Sequence, residues 1–149
     1  MKMKHSLAVF GTLSLALLGG CSSLKTVNVI QDPALSGASV AVDVVAVNEQ
    51  NKALETLAVR EYWRNPSGVR GNGAFTTLRF GQGQPNEQTV TKNWQSGGAK
   101  KVLVIADLPG VFADGVGSSD PRRRLIPVQK AAVVTIRVTP SGLSVDSTK

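Results

Sequence analysis

Thiols, imidazoles, paired carboxylates and a serine beside a base are the groups from which catalytic and metal sites are made. This 149-residue chain has one cysteine, Cys21, and one histidine, His5. Beyond residue 21 there is no imidazole and no second thiol, so no Ser-His triad, Cys-His pair or His/Cys zinc site can be assembled there. Carboxylate or Ser-Lys chemistry would remain, but no S-x-x-K stands between residues 24 and 149. The chain reads as a non-enzyme with no catalytic residue, no metal and no small-molecule substrate.

The context of Cys21 gives it a different chemistry. Met1-Lys2-Met3-Lys4-His5 is a cationic start, and residues 7–18 are an apolar run interrupted by Gly11, Thr12 and Ser14. A positive start, a short apolar core and small residues at its end make a secretory signal. The run is too short to cross a bilayer as a mature helix, which takes about 20 residues. Leu18-Gly19-Gly20-Cys21 then resembles the lipobox of bacterial lipoproteins. The resemblance implies that the Cys21 sulfur takes a diacylglyceryl group as a thioether, that the chain is cut before Cys21, and that the new amine is acylated. Leu18, Gly19 and Gly20 would be the peptidase recognition residues. No cofactor is expected besides this covalent N-acyl and S-diacylglycerol lipid. Two or more acyl chains hold a protein firmly on a bilayer that it does not span. Ser22 stands where an Asp tends to retain such lipoproteins on the inner membrane, so the expected location is the periplasmic face of the outer membrane.

Four other groupings were weighed. Gly97-Gly98-Ala99-Lys100 lacks the G-x-x-x-x-G-K-[ST] spacing of a phosphate loop and reads as a hairpin turn. Asp107, Asp114 and Asp120 are too widely spaced for a calcium loop and read as loop polarity. Arg122-Arg123-Arg124 is the densest charge. It reads as the solvated start of a strand or as a contact for lipid phosphates or an acidic partner. Tyr62-Trp63 and Trp94 read as core, with partner anchors as the other reading.

The elements that would position these residues follow from period and punctuation. The expected division is a cleaved signal over 1–20, a lipidated tether over 21–23 and one domain over 24–149. From residue 21 on, 15 Lys and Arg face 10 Asp and Glu, a formal charge of +5. Outside the cytoplasm such a surface meets lipid headgroups, glycans or acidic proteins rather than nucleic acid. Alternation predicts strands over 24–31 and 39–47, the second apolar on both faces. Leu54, Leu57, Ala58 and Tyr62 fall at helical spacing, predicting a short helix over 53–64. Strands are predicted over 75–80, 88–94, 101–108 and 125–129. The third of these is the most apolar and should be central, and the fourth carries Pro127 and belongs at an edge. The loop over 109–121 is long, and a hairpin turning at Pro140-Ser141-Gly142 closes the chain. About seven to eight short strands and one helix predict an all-β antiparallel sandwich.

This order of elements is similar to the outer-membrane lipoprotein, the J subunit, of type VI secretion systems. The similar stretches are the strand-turn-strand around Asp32-Pro33-Ala34-Leu35-Ser36-Gly37, the aromatic helix ending Glu61-Tyr62-Trp63, and Val102-Leu103-Val104-Ile105-Ala106-Asp107 before Arg122-Arg123. The closing 133–145 hairpin fits as well. The first turn is shorter than the family's, and the 109–121 loop longer. The resemblance implies a transthyretin-like β-sandwich with a short helical insertion. It also implies a structural anchor of a secretion complex that binds the periplasmic part of an inner-membrane protein. Asp32, Pro33, Ala34, Leu35, Ser36 and Gly37 become candidate partner-binding residues, beside Arg122, Arg123 and Arg124 from their charge. The alternative is an envelope lipoprotein that binds glycan, lipid or another periplasmic protein.

Overall fold

The computed structural model describes residues 23–64, 68, 75–113, 115 and 119–148. Among them eight strands form: β1 (Thr26–Gln31), β2 (Val40–Val47), β3 (Phe75–Phe80), β4 (Glu87–Thr91), β5 (Lys101–Asp107), β6 (Arg123–Pro127), β7 (Val133–Thr139) and β8 (Gly142–Thr148). They sort into two four-stranded sheets, ordered β4-β1-β7-β8 and β3-β2-β5-β6. The expected sandwich is present. Its neighbours pair antiparallel with one exception: β1 runs parallel to β7, from Thr26 opposite Val133 to Gln31 opposite Val138. Parallel neighbours need a crossover, and here the chain visits the whole second sheet between them.

Alternation explains the core. Val27 and Val29 of β1 and Val134, Ile136 and Val138 of β7 face Val40, Val42 and Val44 of β2 and Val102, Val104 and Ala106 of β5. Each such aliphatic side chain contributes roughly 1.5–3 kcal/mol on full burial. The other face of β2 and β5 is apolar too, because it is covered. Val45, Val47, Leu103 and Ile105 pack under Leu54, Val59 and Tyr62 of the insertion between β2 and β3. β5 is interior and β6, with Pro127, is an edge, as predicted.

The insertion is not one helix. Asn48 opens a 3₁₀ helix, Glu49–Glu55, by accepting the N–H groups of Gln50 and Asn51 while the Asn51 side chain accepts its own. Asn51 is non-helical and kinks this segment, and Thr56 ends it; α1 is only Val59–Arg64. The strand expected over 88–94 stops at Thr91, because Asn93 caps a 3₁₀ turn, Trp94–Gly97. Gly98 closes that turn with φ 70°. Residues 97–100 are therefore no hairpin: they lie on the connection from β4 in one sheet to β5 in the other.

Strand register defines two poles. At the first lie Ser23–Lys25, the 92–100 connection and the 128–132 turn, joined by the hydrogen bonds of Leu24 N–H to Val128 C=O and Lys100 N–H to Val47 C=O. At the other lie residues 32–39, 81–86, 108–122 and the 140–141 turn.

Candidate partner-binding pole

Leu18, Gly19, Gly20, Cys21 and Ser22 lie outside the described residues, as does Asp114. Ser23, two positions after Cys21, stands at the first pole. The loop 32–37 stands at the opposite one.

That loop is built rigidly. Asp32 Oδ1 accepts the Ala34 N–H at 2.9 Å, and the Asp32 N–H donates to Val138 C=O at 2.9 Å. Pro33–Leu35 forms a 3₁₀ turn closed by Ser36 N–H on Pro33 C=O. Gln31 continues the inward face of Val27 and Val29, and its buried Nε2 donates to Leu35 C=O at 3.1 Å and Ala38 C=O at 3.3 Å. Leu35 enters the core, so Pro33, Ala34, Ser36 and Gly37 make the outward surface, flanked by half-exposed Asp32. Gly37 has φ 90°, a conformation that favours glycine.

The arginine triplet turns inward rather than forming a surface patch. Arg122 grips Asp120 with Nε to Oδ1 at 3.0 Å and Nη2 to Oδ2 at 2.7 Å, while its backbone N–H also donates to Oδ1. Its guanidinium lies 5.1 Å from the Phe112 ring centroid. Burial alone would raise the Asp120 carboxyl, but the Arg122 hydrogen bonds and charge, with the Gly115 N–H, hold it below its ordinary range. Arg123 is only 1% exposed. Its Nη1 donates to Leu57 C=O at 2.6 Å and its Nη2 to Leu54 and Glu55 C=O at 2.7 and 2.9 Å. As a contact residue Arg123 is thus corrected: period two puts it on the covered face of β6, where the end of a 3₁₀ helix leaves carbonyls in need of donors. Burial lowers its pKa, against the attraction of Asp120 and Glu55. Arg124, half-buried, donates to Arg123 C=O.

The aromatic residues are core. Tyr62 and Trp94 are buried, and Trp63 packs edge-on to Tyr62 at 5.2 Å. Among the described residues no three His, Cys, Asp or Glu are grouped to hold a metal, and no helix is long and apolar enough to cross a membrane.

Sequence reasoning missed Asp43, a buried carboxyl on β2, and Gln31, whose inward parity was the available signal. It also missed the clasp between the long loop and the last hairpin. The Leu143 N–H donates to Pro121 C=O at 2.7 Å, and a Cβ on Gly142 would stand 2.5 Å from that oxygen. Loop 32–37, Arg122 and this clasp share one pole. Val111, fully exposed beside the inward Phe112, stands on the same long loop.

No protein-family model and no curated protein matches the chain. Solved structures do. Serratia marcescens Lip, a membrane-bound component of the type VI secretion system, superposes with a TM-score of 0.55 at 12% identity, over 85% of this chain and 99% of that one. The type VI lipoprotein TssJ1 of Pseudomonas aeruginosa gives 0.56 at 7% identity, over 85% and 97%. A chain from the structure of the TssM C-terminal domain of the same type of system, from EAEC, gives 0.59 at 14% identity, over 81% and 98%. At these identities the likeness establishes a shared fold: this chain has the β-sandwich found in type VI secretion lipoproteins.

Proposed function

We propose that this chain is a lipoprotein carrying N-acyl and S-diacylglyceryl groups on Cys21, held on the periplasmic face of the outer membrane. Residues 1–20 are removed, 21–23 form the tether, and 24–149 form the sandwich. Its role is structural. It anchors a type VI secretion membrane complex by binding the periplasmic part of an inner-membrane partner, and it performs no catalysis. The observation that carries this reading is the opposition of the two poles in a fold shared with type VI lipoproteins. The chain emerges from the lipobox at one pole, and the rigid loop 32–37 stands at the other. Strands of six to eight residues put about 20–25 Å between them. A lipid on Cys21 would then hold the sandwich upright and present residues 32–37 toward the periplasm. The rival glycan- or lipid-binding module drew on Arg122–Arg124, whose side chains are engaged within the fold.

The test is recovery of the affinity-tagged chain from gently solubilised envelopes. Co-recovery of an inner-membrane protein with a large periplasmic domain is expected; recovery of the lipoprotein alone would overturn the partner assignment. Intact mass tests the lipid separately, since Cys21→Ser must abolish the acyl mass.

A further inference from the structure

All six lysines of the described residues stand at the pole where the chain begins its first strand. Lys25 precedes β1, Lys92 follows β4, Lys100 and Lys101 open β5, Lys130 lies in the turn after β6, and Lys52 sits on the 3₁₀ helix after β2. They come from six places spread over more than a hundred positions of sequence, and only the topology gathers them. Two acids share the pole, and both are paired: Glu49 with Lys100 at 2.8 Å and Lys52 at 4.0 Å, Glu55 with Lys101 at 2.7 Å. Lys25, Lys92 and Lys130 are exposed and form no ion pair among the described residues. Lys92 lies over the Trp94 ring at 5.7 Å. The opposite pole has no lysine; there Asp32, Glu87, Asp107 and Asp120 face Arg79, Arg122 and Arg123.

The lysine pole is also concave. A cleft of about 320 Å³ is lined by Ser23, Lys25, Thr91, Lys92, Asn93 and Gln95. Two ammonium groups with hydroxyl and amide donors, and no carboxylate, are the chemistry of an anion site. Gln95 joins it to a second cleft, of about 530 Å³, that reaches Lys100 and Gln129.

We propose that this pole docks on anionic phospholipid headgroups, with a lipid phosphate in the Lys25–Lys92 cleft. The orientation rests on the reading of Cys21 as the lipidated residue. Two residues span at most about 7 Å, so a lipid on Cys21 would hold Ser23 and its cleft within the screening length of the bilayer surface, about 8 Å in physiological salt. Acyl chains then fix the protein in the membrane and the lysines fix its tilt, which keeps loop 32–37 pointing away.

The charge term can be tested without the lipid. Every buried apolar residue of the described core lies between Leu24 and Leu143, so the chain from residue 21 on carries the whole core. That chain, with Cys21→Ser, is co-sedimented with phosphatidylcholine vesicles, with and without about a quarter phosphatidylglycerol. Binding only to the anionic vesicles, lost in raised salt, is expected. Each lysine contributes roughly fivefold in partitioning, so Lys25→Gln, Lys92→Gln and Lys130→Gln together should lower it on the order of a hundredfold. The urea midpoint should stay unchanged, because these side chains are exposed. Equal partitioning to both vesicles, or full binding by the triple variant, would overturn the proposal. Failure of the lipidation reading shows instead in the mass of the membrane-isolated protein.

Discussion

The hydroxyl of Tyr62 on α1 donates a 2.7 Å hydrogen bond to Oδ2 of Asp43, a buried carboxyl on the central strand β2. Thr77 of the neighbouring strand donates to Oδ1 at 2.6 Å. The short helix is thereby bolted to the sheet by a polar contact inside an apolar interface. Tyr62→Phe keeps the ring and removes the donor. A hydrogen bond of this kind contributes about 1–3 kcal/mol when the remaining group is buried. Urea unfolding should show a lower midpoint with an unchanged slope, and a midpoint equal to that of the parent would refute the bolt.

A second fastener holds the other end of the insertion. Arg123 spans from β6 to the carbonyls of Leu54, Glu55 and Leu57. Its planar fork serves several acceptors at once, which a lysine cannot. Arg123→Met should cost about 3 kcal/mol or more, and Arg123→Lys should restore little of it. Arg124→Ala, which loses one bond at a half-buried position, should cost about 1 kcal/mol. Equal losses at the two positions would show that the inward guanidinium has no special part.

Acid should loosen the far pole. Asp120 is buried beneath Arg122, and its carboxyl titrates below the ordinary 3.8 despite the opposing effect of burial. A depressed folded pKa means that the unfolded chain binds the proton first on acidification. The stabilisation is therefore complete above the unfolded value and is lost as pH falls through the folded one. Asp120→Asn should lower stability at neutral pH and flatten its decline below about pH 4. Urea midpoints of both proteins across that range would decide it, and parallel pH profiles would count against the clamp.

What the sequence disclosed and what it hid have physical causes. Val40 to Val47 and Val102 to Ala106 announced buried strands because apolar residues on both faces demand cover, and Pro127 announced an edge because it lacks a donor. The hairpin at Thr139–Gly142 was marked by its turn residues. Arg122-Arg123-Arg124 misled because charge reads as solvent until the covering element is placed, and that element comes from residues 49–64. The break at Asn51 and Thr56 was hidden under helical spacing that both halves share. The β1–β7 pairing was invisible for another reason: register between strands a hundred residues apart leaves no local mark. The candidate loop was legible as a turn, whereas its rigidity depends on Gln31 and on Val138, which only the fold brings to it.

That rigidity separates binding from folding at residues 32–37. Ala34 and Ser36 face outward, while Leu35 enters the core between them. Ala34→Arg and Ser36→Arg place bulk and charge on the outward surface without touching a buried group. Surface changes of this type alter stability by about 0.5 kcal/mol or less. If this loop meets the inner-membrane partner, both variants should reach the membrane and unfold like the parent, yet recover at least tenfold less partner from solubilised envelopes. Leu35→Ala should do the reverse at first order, costing about 2–5 kcal/mol of stability through the cavity it leaves. Undiminished partner recovery by the arginine variants would move the contact to another part of the pole, with the clasp of Pro121 and Leu143 the next surface to alter.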